Sequence, residues 1–512
     1  MTIPGLRFVE PKTPEAALNV RADIALFVGF VRLRGPSIPK WMRQQWHDLG
    51  LRPDEKQLAD SGLKLPIRFE SFAQFNEVFD PDWRVFDPAH PATLVPSALG
   101  LAVRSFFAEG GINCYVVRCG DPLPALPMEQ ETTNNFLPSR KNLIDNIIQR
   151  HELRFDDPAS WIGISHVLGL EDVSMLLLPD LAEFFAIAPA IIPDKYVQSR
   201  GPAVFLPAGQ PVAEPYKAAP SAQPYSAPRL DENGRKLWAQ SIANVLSLLS
   251  KVQGGASRRD VQLIATLPLP TSANLELEKS PDVSALLANV PEENMGQLQL
   301  VYPWIQTAAS AMLPERLQGG EGVVAGIIAR NAVTRGAFMS IAGQRSTTMQ
   351  ALSPTLLAAN INKQFNDGAW LGDRLTLLSS DEQGFLMLSD STFAKERPRR
   401  SGSLRRLTGI VLRVARLAGE DLVFEANLPS TWTRLRHRIE DYLTELWSLG
   451  AFDGETPRDA FFVRCGPATM SQNDIDAGRI IAEISFMGMQ PIEWMTVTLE
   501  LGVAQPRNLR AA

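Results

Sequence analysis

One stretch of the chain changes its hydrophobic rhythm within about thirty residues. Residues 94–107 carry apolar side chains at helical spacing, and residues 115–117 are a run of strand-forming Tyr and Val. Gly110 and Gly111 lie between them, where the end of a helix favours a residue that tolerates positive φ. The pattern predicts a helix, a glycine stop and a buried strand, which is half of an α/β crossover.

Further apolar runs predict more strands of the same kind. Residues 22–31, 172–180 and 261–270 are nearly continuous in apolar side chains, and a long helix is predicted near residues 233–252. Strands that are apolar throughout and alternate with helices are typical of a mostly parallel sheet covered on both faces. We therefore expect an α/β domain over much of the chain.

The C-terminal part has a different pattern. Residues 431–447 predict an amphipathic helix with a charge pair between Arg436 and Glu440. Residues 479–489 and 492–501 read as strands, the second close to the C-terminus. The apolar stripe of the helix consists of Trp432, Leu435, Ile439, Leu443 and Leu446.

Two segments interrupt these elements. Residues 201–229 contain a proline at about every fourth position, which predicts an exposed surface loop, here called the excursion. The alternative is a ligand segment for a groove that binds proline-rich peptides. The sequence "KERPRRSGSLRR" clusters six basic residues around Gly402. It is interpreted as a solvated interdomain linker or a contact for an acidic protein surface, with a nucleic-acid patch as the alternative.

Composition narrows the class of protein. The chain has 512 residues, of which 45% are hydrophobic and 21% charged, and its net charge is -6. This mild acidity disfavours nucleic-acid binding, and three irregularly spaced cysteines predict buried thiols rather than a disulfide framework. Neither a signal peptide nor a long apolar run is recognised, so we expect assembly in the cytoplasm and no direct membrane insertion.

Candidate chemistry is sparse. Gly320, Gly322 and Gly326 precede a helix but miss the dinucleotide-binding spacing, so they are interpreted as turn and packing residues. The histidines lack metal-binding spacing, and a Gly-x-Ser-x-Gly elbow is absent. Asp474 and Asp476 read as turn residues more readily than as paired catalytic carboxylates. We therefore expect that the chain is not an enzyme and binds no cofactor. The alternative is a nucleotide-binding α/β enzyme.

Four stretches, taken in order, resemble the tail-sheath proteins of contractile injection systems and phage tails. They are "IPGLRFVEP" with "ADIALFVGFVRLRGP"; "FESFAQFNEVF" with "ALGLAVRSFFAEGGINCYVVR"; "LVYPWI" with "GVVAGIIARNAVTRGAF"; and "LVFEANLPSTWTRLRHRIEDYLTELWSLGAFDGETPRDAFFVRCG" with "NDIDAGR". The region after "MSIAGQ" lacks a proline-rich form common in phage sheaths, which favours an injection-system sheath. A type VI secretion sheath fits less well, because those sheaths pair two proteins.

The resemblance implies a domain plan. It comprises an extended arm at 1–20, an α/β domain at 21–385 with an exposed excursion at 195–230, a tube-proximal domain at 386–490 and a terminal strand at 491–512. The fold class implied is α/β, α+β overall, with a C-terminal α+β domain completed by strands exchanged between subunits. The function implied is that of a structural subunit that polymerises into a helical sheath and contracts to drive an inner tube through a target envelope.

The resemblance also implies partners and site residues. The partners are further copies in stacked hexameric rings, an inner tube protein, baseplate and terminal cap proteins, and sheath paralogues where these exist. The particle that contains the sheath is released, free in the cytosol or anchored through other components. Arg434, Arg438 and Glu445 are predicted to contact the tube, with a solvated helix face as the alternative. The residues predicted to exchange between subunits are Pro4, Gly5, Leu6, Phe8, Ile492, Trp494, Thr496 and Thr498.

Overall fold

The computed structural model describes most of the chain. The described residues are 21–35, 39–51, 64–126, 142–148, 160–191, 225–250, 257–271, 287, 290–356, 369–420, 422, 425–488 and 495–501. The chain divides into two compact units, a larger one from Ala22 to Gly409 and a smaller one that begins at Ile410 and includes Arg21. The division falls inside the helix Gly402–Glu420, whereas the sequence suggested a boundary after residue 385.

The elements are numbered here in chain order. The strands are β1 Ala25–Phe30, β2 Arg32–Leu33, β3 Ile67–Phe69, β4 Phe79–Asp80, β5 Val85–Asp87, β6 His90–Leu94, β7 Cys114–Gly120, β8 Met175–Leu177, β9 Arg229–Leu230, β10 Gln262–Thr266, β11 Leu269–Pro270, β12 Leu298–Tyr302, β13 Trp304–Thr307, β14 Met349–Ser353, β15 Thr376–Asp381, β16 Gly384–Met387, β17 Phe461–Cys465, β18 Ile480–Phe486 and β19 Met495–Leu501. The α-helices are α1 Lys40–Asp48, α2 Phe72–Val78, α3 Ala98–Ala108, α4 Leu181–Phe184, α5 Glu232–Ser250, α6 Glu292–Met295, α7 Glu321–Thr334, α8 Leu371–Arg374, α9 Arg397–Arg400, α10 Gly402–Glu420, α11 Pro429–Ser448, α12 Pro457–Ala460 and α13 Gln472–Asp476.

The larger unit is built on one sheet. Among the described residues this sheet has eight strands in the order β16-β15-β12-β10-β8-β1-β7-β3. The six inner strands run parallel, and only the two outermost strands, β3 and β16, are antiparallel to their neighbours. The mostly parallel sheet expected from the sequence is therefore confirmed.

Alternating side chains of β1, and of Ile24 just before it, reach two separate cores. Ile24, Leu26 and Val28 belong to a core that includes residues of α5, whereas Ala25 and Phe27 belong to a second core that includes residues of α3 and α7. Both faces of the strand are fully buried, because helices cover both sides of a parallel sheet. This is why β1 reads as one continuous apolar run.

Glycines permit the close packing of α3 against α7. A Cβ on Gly322 would lie 2.4 Å from the carbonyl oxygen of Ala102, and one on Gly326 would lie 2.5 Å from that of Phe106. These glycines are packing residues, as the sequence indicated. The predicted end of α3 is also confirmed, since Gly110 follows the helix with a φ of 104°.

The basic cluster is solvated only in part: Lys395 and Arg397 are exposed, as its composition suggested, but the cluster is helical. It forms α9 and the start of α10, and Arg406 is buried. The Arg406 guanidinium donates to both carboxylate oxygens of Asp390, at 3.1 and 2.6 Å. Arg400 and Arg399 form partly exposed ion pairs with Asp373 and Glu396. The interpretation failed for Arg406 because its acceptor Asp390 lies outside the basic stretch, where local composition does not reveal it.

The proline-rich excursion and the N-terminal arm lie largely or wholly outside the described residues. Of the excursion, the structure describes residues 225–230, which include β9. The whole of the predicted arm, residues 1–20, lies outside the described residues, which begin at Arg21.

Candidate assembly surface

The smaller unit combines α11 with a three-stranded antiparallel sheet in the order β17-β18-β19. Val463, Ile484 and Val497 face one another across the three strands, and all three are buried. The helix contributes the predicted apolar stripe, which is buried along its full length, so the amphipathic interpretation is confirmed. The predicted pair between Arg436 and Glu440 is also present, at 3.8 Å.

Within the described residues, each outer strand of this small sheet has one edge that no other strand covers, and we call these the open edges. The Met487 N–H donates to the Ala460 carbonyl at 2.9 Å, so the hydrogen-bonded pairs of this ladder include Arg464 with Glu483. The backbone groups of Cys465 consequently point away from β18. By the same alternation, those of Thr498 point away from β18 on the far side of β19. Among the described strands, none pairs with either outer edge.

The edges of the larger sheet are closed instead. At β3, the Gln45 amide accepts from the Arg68 N–H at 3.0 Å and donates to the Arg68 carbonyl at 3.1 Å. The Trp46 indole donates to the Pro66 carbonyl at 3.0 Å. At β16, residues 343–346 exchange backbone hydrogen bonds with Phe385 and Met387. Covered edges do not template pairing with another chain, so of these two sheets it is the three-stranded one whose outer edges are left unpaired by the described strands.

The predicted exchange residues divide into two groups. Pro4, Gly5, Leu6, Phe8, Ile492 and Trp494 lie outside the described residues. Thr496 and Thr498 lie in β19, where they stand opposite Ser485 and Glu483 of the same chain. In the single chain, β19 thus completes its own subunit's sheet.

The predicted tube-contact residues lie together on the outer side of α11. At 3.6 residues per turn, Arg434, Arg438, Asp441 and Glu445 fall within about 60° of arc. Arg434 and Asp441 are exposed, and Arg438 and Glu445 are partly exposed. Arg434 pairs with Glu425. We call these four residues the charged arc.

The carboxyl ends of the parallel strands are where doubly wound enzymes bind ligands. In this chain, side-chain and backbone groups of the protein itself form hydrogen bonds with one another at the carboxyl ends of the strands. The Thr266 hydroxyl donates to the Glu321 carboxylate and accepts from the Gly320 N–H at 2.9 Å. An adjoining small cavity of about 30 Å³ is lined mainly by apolar side chains, and Glu183 and Glu321 also line it. Two carboxylates beside the start of α7 oppose the phosphate binding that a helix N-terminus otherwise favours.

Asp180 lies in the same region and is 5% exposed. Its carboxylate accepts from the Phe30 N–H at 2.9 Å. Burial raises the pKa of Asp180 to about 8, with Glu183 acting in the same direction, and burial raises the pKa of Glu321. Asp180 is therefore a proton-binding group at neutral pH.

The remaining candidate groups have structural surroundings. Cys114 and Cys119 are buried free thiols, and burial raises the pKa of both. Asp474 accepts from the Ser471 N–H at 2.9 Å and opens α13 through a capping box. Among the described residues, three or more His, Cys, Asp or Glu side chains never meet in a way that could hold a metal ion. Within the same part of the chain, every helix is too short or too polar to span a bilayer.

Solved structures share this fold along the whole chain. A chain in the contracted baseplate of the anti-feeding prophage matches with a TM-score of 0.56 and 18% identity, covering 100% of both chains. A chain of the contracted helical sheath of that prophage matches with a TM-score of 0.51 and 18% identity, covering 98% of this chain and 99% of the other. The chain has the fold of a helical-sheath protein. The resemblance that the sequence motifs indicated is thereby confirmed for the fold, although no family model and no curated protein matches the sequence.

Sequence reasoning missed two features of this sheath-type fold. The first is the closure of the larger sheet by Gln45 and Trp46, whose partners at residues 66–68 cannot be identified from the polar pattern of α1 alone. The second is Asp441, which completes the charged arc. The signal for Asp441 was available, since Arg434, Arg438, Asp441 and Glu445 recur at the spacing of one helix face.

Proposed function

We propose that the chain is the structural subunit of a contractile sheath, which polymerises around an inner tube and shortens to drive that tube through a target envelope. The observation that carries this proposal is the contrast between the two sheets. In the part of the chain that the structure describes, the larger sheet is closed at both edges and the smaller sheet has two open edges, in a chain with the fold of a helical-sheath protein. Open edges supply affinity and register for strand addition from another chain.

In this proposal, copies are joined by strand exchange. The N-terminal residues Pro4, Gly5, Leu6 and Phe8 add to the small sheet of a neighbouring copy. The C-terminal strand, with Ile492, Trp494, Thr496 and Thr498, forms between copies the ladder with β18 that the single chain forms internally. Exchanging an identical element between protomers costs little, and head-to-tail contacts that do not close generate a helical polymer.

The remaining parts of the proposal follow from that arrangement. Strands that remain paired while the rigid units rotate permit two sheath states with the same connectivity, and the stroke consumes no nucleotide. Arg434, Arg438 and Glu445 contact the inner tube through charge. The baseplate and a terminal cap bind the two ends of the polymer, and the sheath is assembled inside the producing cell.

The first test combines microscopy with deletion. We expect the purified full chain to form hollow cylinders in negative stain, and a variant lacking residues 1–10 to remain folded but to form no cylinders. A matched comparison uses Thr498→Pro and Cys465→Pro, each of which removes one outward N–H from an open edge, with Thr498→Val as the control that retains it. At least one proline variant should stop polymerisation.

Cylinders that persist in the deletion variant and in both proline variants would contradict strand exchange. A nucleotide titration distinguishes the alternative function. A discrete particle that NAD or ATP stabilises strongly against heat would instead favour a nucleotide-binding α/β enzyme.

A further inference from the structure

The C-terminal strand β19 occupies, in the single chain, the place that the proposed function assigns to the β19 of a neighbouring copy. Strands β18 and β19 run antiparallel over seven residue pairs, from Ile480 with Leu501 to Phe486 with Met495. We call this arrangement the closed hairpin. Both edges of β18 are then covered, because β17 pairs with its other side. A neighbour's strand can reach β18 only after the subunit's own β19 has left it.

An exchanged strand would make the same contacts as the internal one. Val497 and Leu499 stand opposite Ile484 and Ala482, and all four side chains are buried. The β19 of a neighbouring copy carries the same residues, so in the same register it would form the same ladder and bury the same side chains. These contacts therefore favour neither partner. The choice depends on the connection between the strands and on the concentration of subunits.

The connection between β18 and β19 is longer than a closed hairpin requires. Its first part is held within the subunit, since the Met487 carbonyl accepts from the Asp453 N–H at 3.0 Å and Gly488 pairs with Phe452. Six residues, 489–494, then precede Met495. A loop of about two residues closes a tight hairpin, whereas six residues span about 20 Å when fully extended. The length of the connection is therefore compatible with both a closed and an exchanged strand.

We propose that the closed hairpin is an autoinhibitory contact, in which β19 of each free subunit blocks the edge of β18 to which the β19 of another copy must bind. This inference rests on the proposed function. A strand on a short connection meets its own β18 at an effective concentration on the order of 1 mM. Dilute subunits therefore stay closed, and exchange is favoured where other contacts hold subunits side by side, as at the end of a polymer. A concentrated chain still polymerises without a tube, but only as its hairpins open.

The test ties β19 to β18 with a disulfide that can be reduced. Glu483 is partly exposed, Thr498 is exposed, and the two stand opposite each other in a pair whose backbone groups point away from each other. The Cα atoms of such a pair are about 4.5 Å apart, which a disulfide can bridge. The locking variant is Glu483→Cys with Thr498→Cys. It also carries Cys465→Ser, so that only buried native thiols remain.

The locking variant should give different products before and after assembly. Oxidised while dilute, it should become a monomer with an intrachain disulfide that forms no cylinders when concentrated, and a reducing agent should restore the cylinders. Assembled while reduced and then oxidised, it should give a ladder of disulfide-linked chains on a non-reducing gel, because each β18 then pairs with the β19 of another copy. A mixture of the two single-cysteine chains, each also carrying Cys465→Ser, should cross-link into dimers once it has assembled.

The matched control is Ala482→Cys, which places a thiol opposite the native Cys465 of β17. The backbone groups of this pair also point away from each other, but its disulfide joins two strands that stay in one subunit. The oxidised control should therefore form cylinders as the wild type does. Thermal melting of the oxidised and reduced forms verifies that each variant is folded.

Cylinders that the oxidised locking variant forms as readily as its reduced form would overturn the proposal. So would an assembled sample that gives only intrachain disulfides, or single-cysteine chains that give no cross-link at any concentration. Failure of the proposed function has a different signature, namely a reduced wild-type chain that forms no cylinders even where the single-cysteine mixture cross-links.

Discussion

Replacing Asp180 by Asn should make the stability of the protein less dependent on pH. Asp180 is buried at the carboxyl ends of the parallel strands and accepts from the Phe30 N–H at 2.9 Å. An Asn oxygen preserves this hydrogen bond. The charged groups that influence Asp180 are Glu183, Arg84 and Glu321, and burial dominates in raising the Asp180 pKa to about 8.

The sign follows from proton binding. The pKa of Asp180 is about 8 in the folded chain and 3.8 in its ordinary state, so between these values the folded chain retains a proton that the unfolded chain has released. The stabilisation is complete below pH 3.8 and is lost as the pH rises through 8. Between about pH 5 and pH 8 the loss is about 4 kcal/mol in the free energy of unfolding.

The assay is urea unfolding of both proteins at several values between about pH 5 and pH 9. Subtracting the free energy of unfolding of Asp180→Asn from that of the wild type cancels the pH dependence that arises from groups common to both proteins. One such group is His166, because burial lowers its pKa to about 4. We expect the free energy of unfolding of Asp180→Asn, relative to that of the wild type, to increase steadily as the pH rises. The exposed Asp381→Asn serves as the control, because the Arg345 hydrogen bond lowers the Asp381 pKa to about 2, outside this range. Parallel pH profiles for wild type and Asp180→Asn would refute the reasoning.

Two further predictions concern packing and hydrogen bonding. Gly322→Ala should lower the free energy of unfolding by about 1–3 kcal/mol, because its methyl group would overlap the Ala102 carbonyl, whereas Gly35→Ala, with no atom within 4 Å of its Cβ position, should have little effect; chemical denaturation measures both. Glu109→Gln should cost about 1–3 kcal/mol and increase hydrogen exchange of residues 346–349, which measures the effect. One oxygen of the buried carboxylate accepts from the Thr348 N–H at 3.0 Å and the other accepts from the Thr347 N–H at 3.2 Å, so an amide nitrogen would oppose a donor in either orientation.

Much of the larger unit could be predicted because its signals are local. The continuous apolar run of β1 reflects burial on both faces, and Gly110 marks the end of α3 through its positive φ. The period of α11 likewise placed Trp432 and Leu446 in the core correctly. Periodicity and turn chemistry act over a few residues, so one sequence is sufficient to detect them.

Other features depend on distant partners. Arg406 lies in a run of basic residues that reads as solvated, and its burial depends on Asp390. The closure of β3 depends on Gln45, more than twenty positions away in the chain. The strand nature of β19 follows from alternation, but alternation does not specify whether its partner β18 belongs to the same chain. Because every copy of the chain carries the same β18, the alternating pattern of β19 does not show whether β19 pairs within its own chain or with a neighbouring copy.

The closed margins of the eight-stranded sheet have a consequence for diversity. If copies join through the small sheet, as we propose, the hydrogen bonds of Gln45 and Trp46 to residues 66–68 keep the β3 edge out of those joints. Variants that differ only on the surface of the larger unit would then polymerise through the same contacts, so one sheath could contain subunits with different outer surfaces.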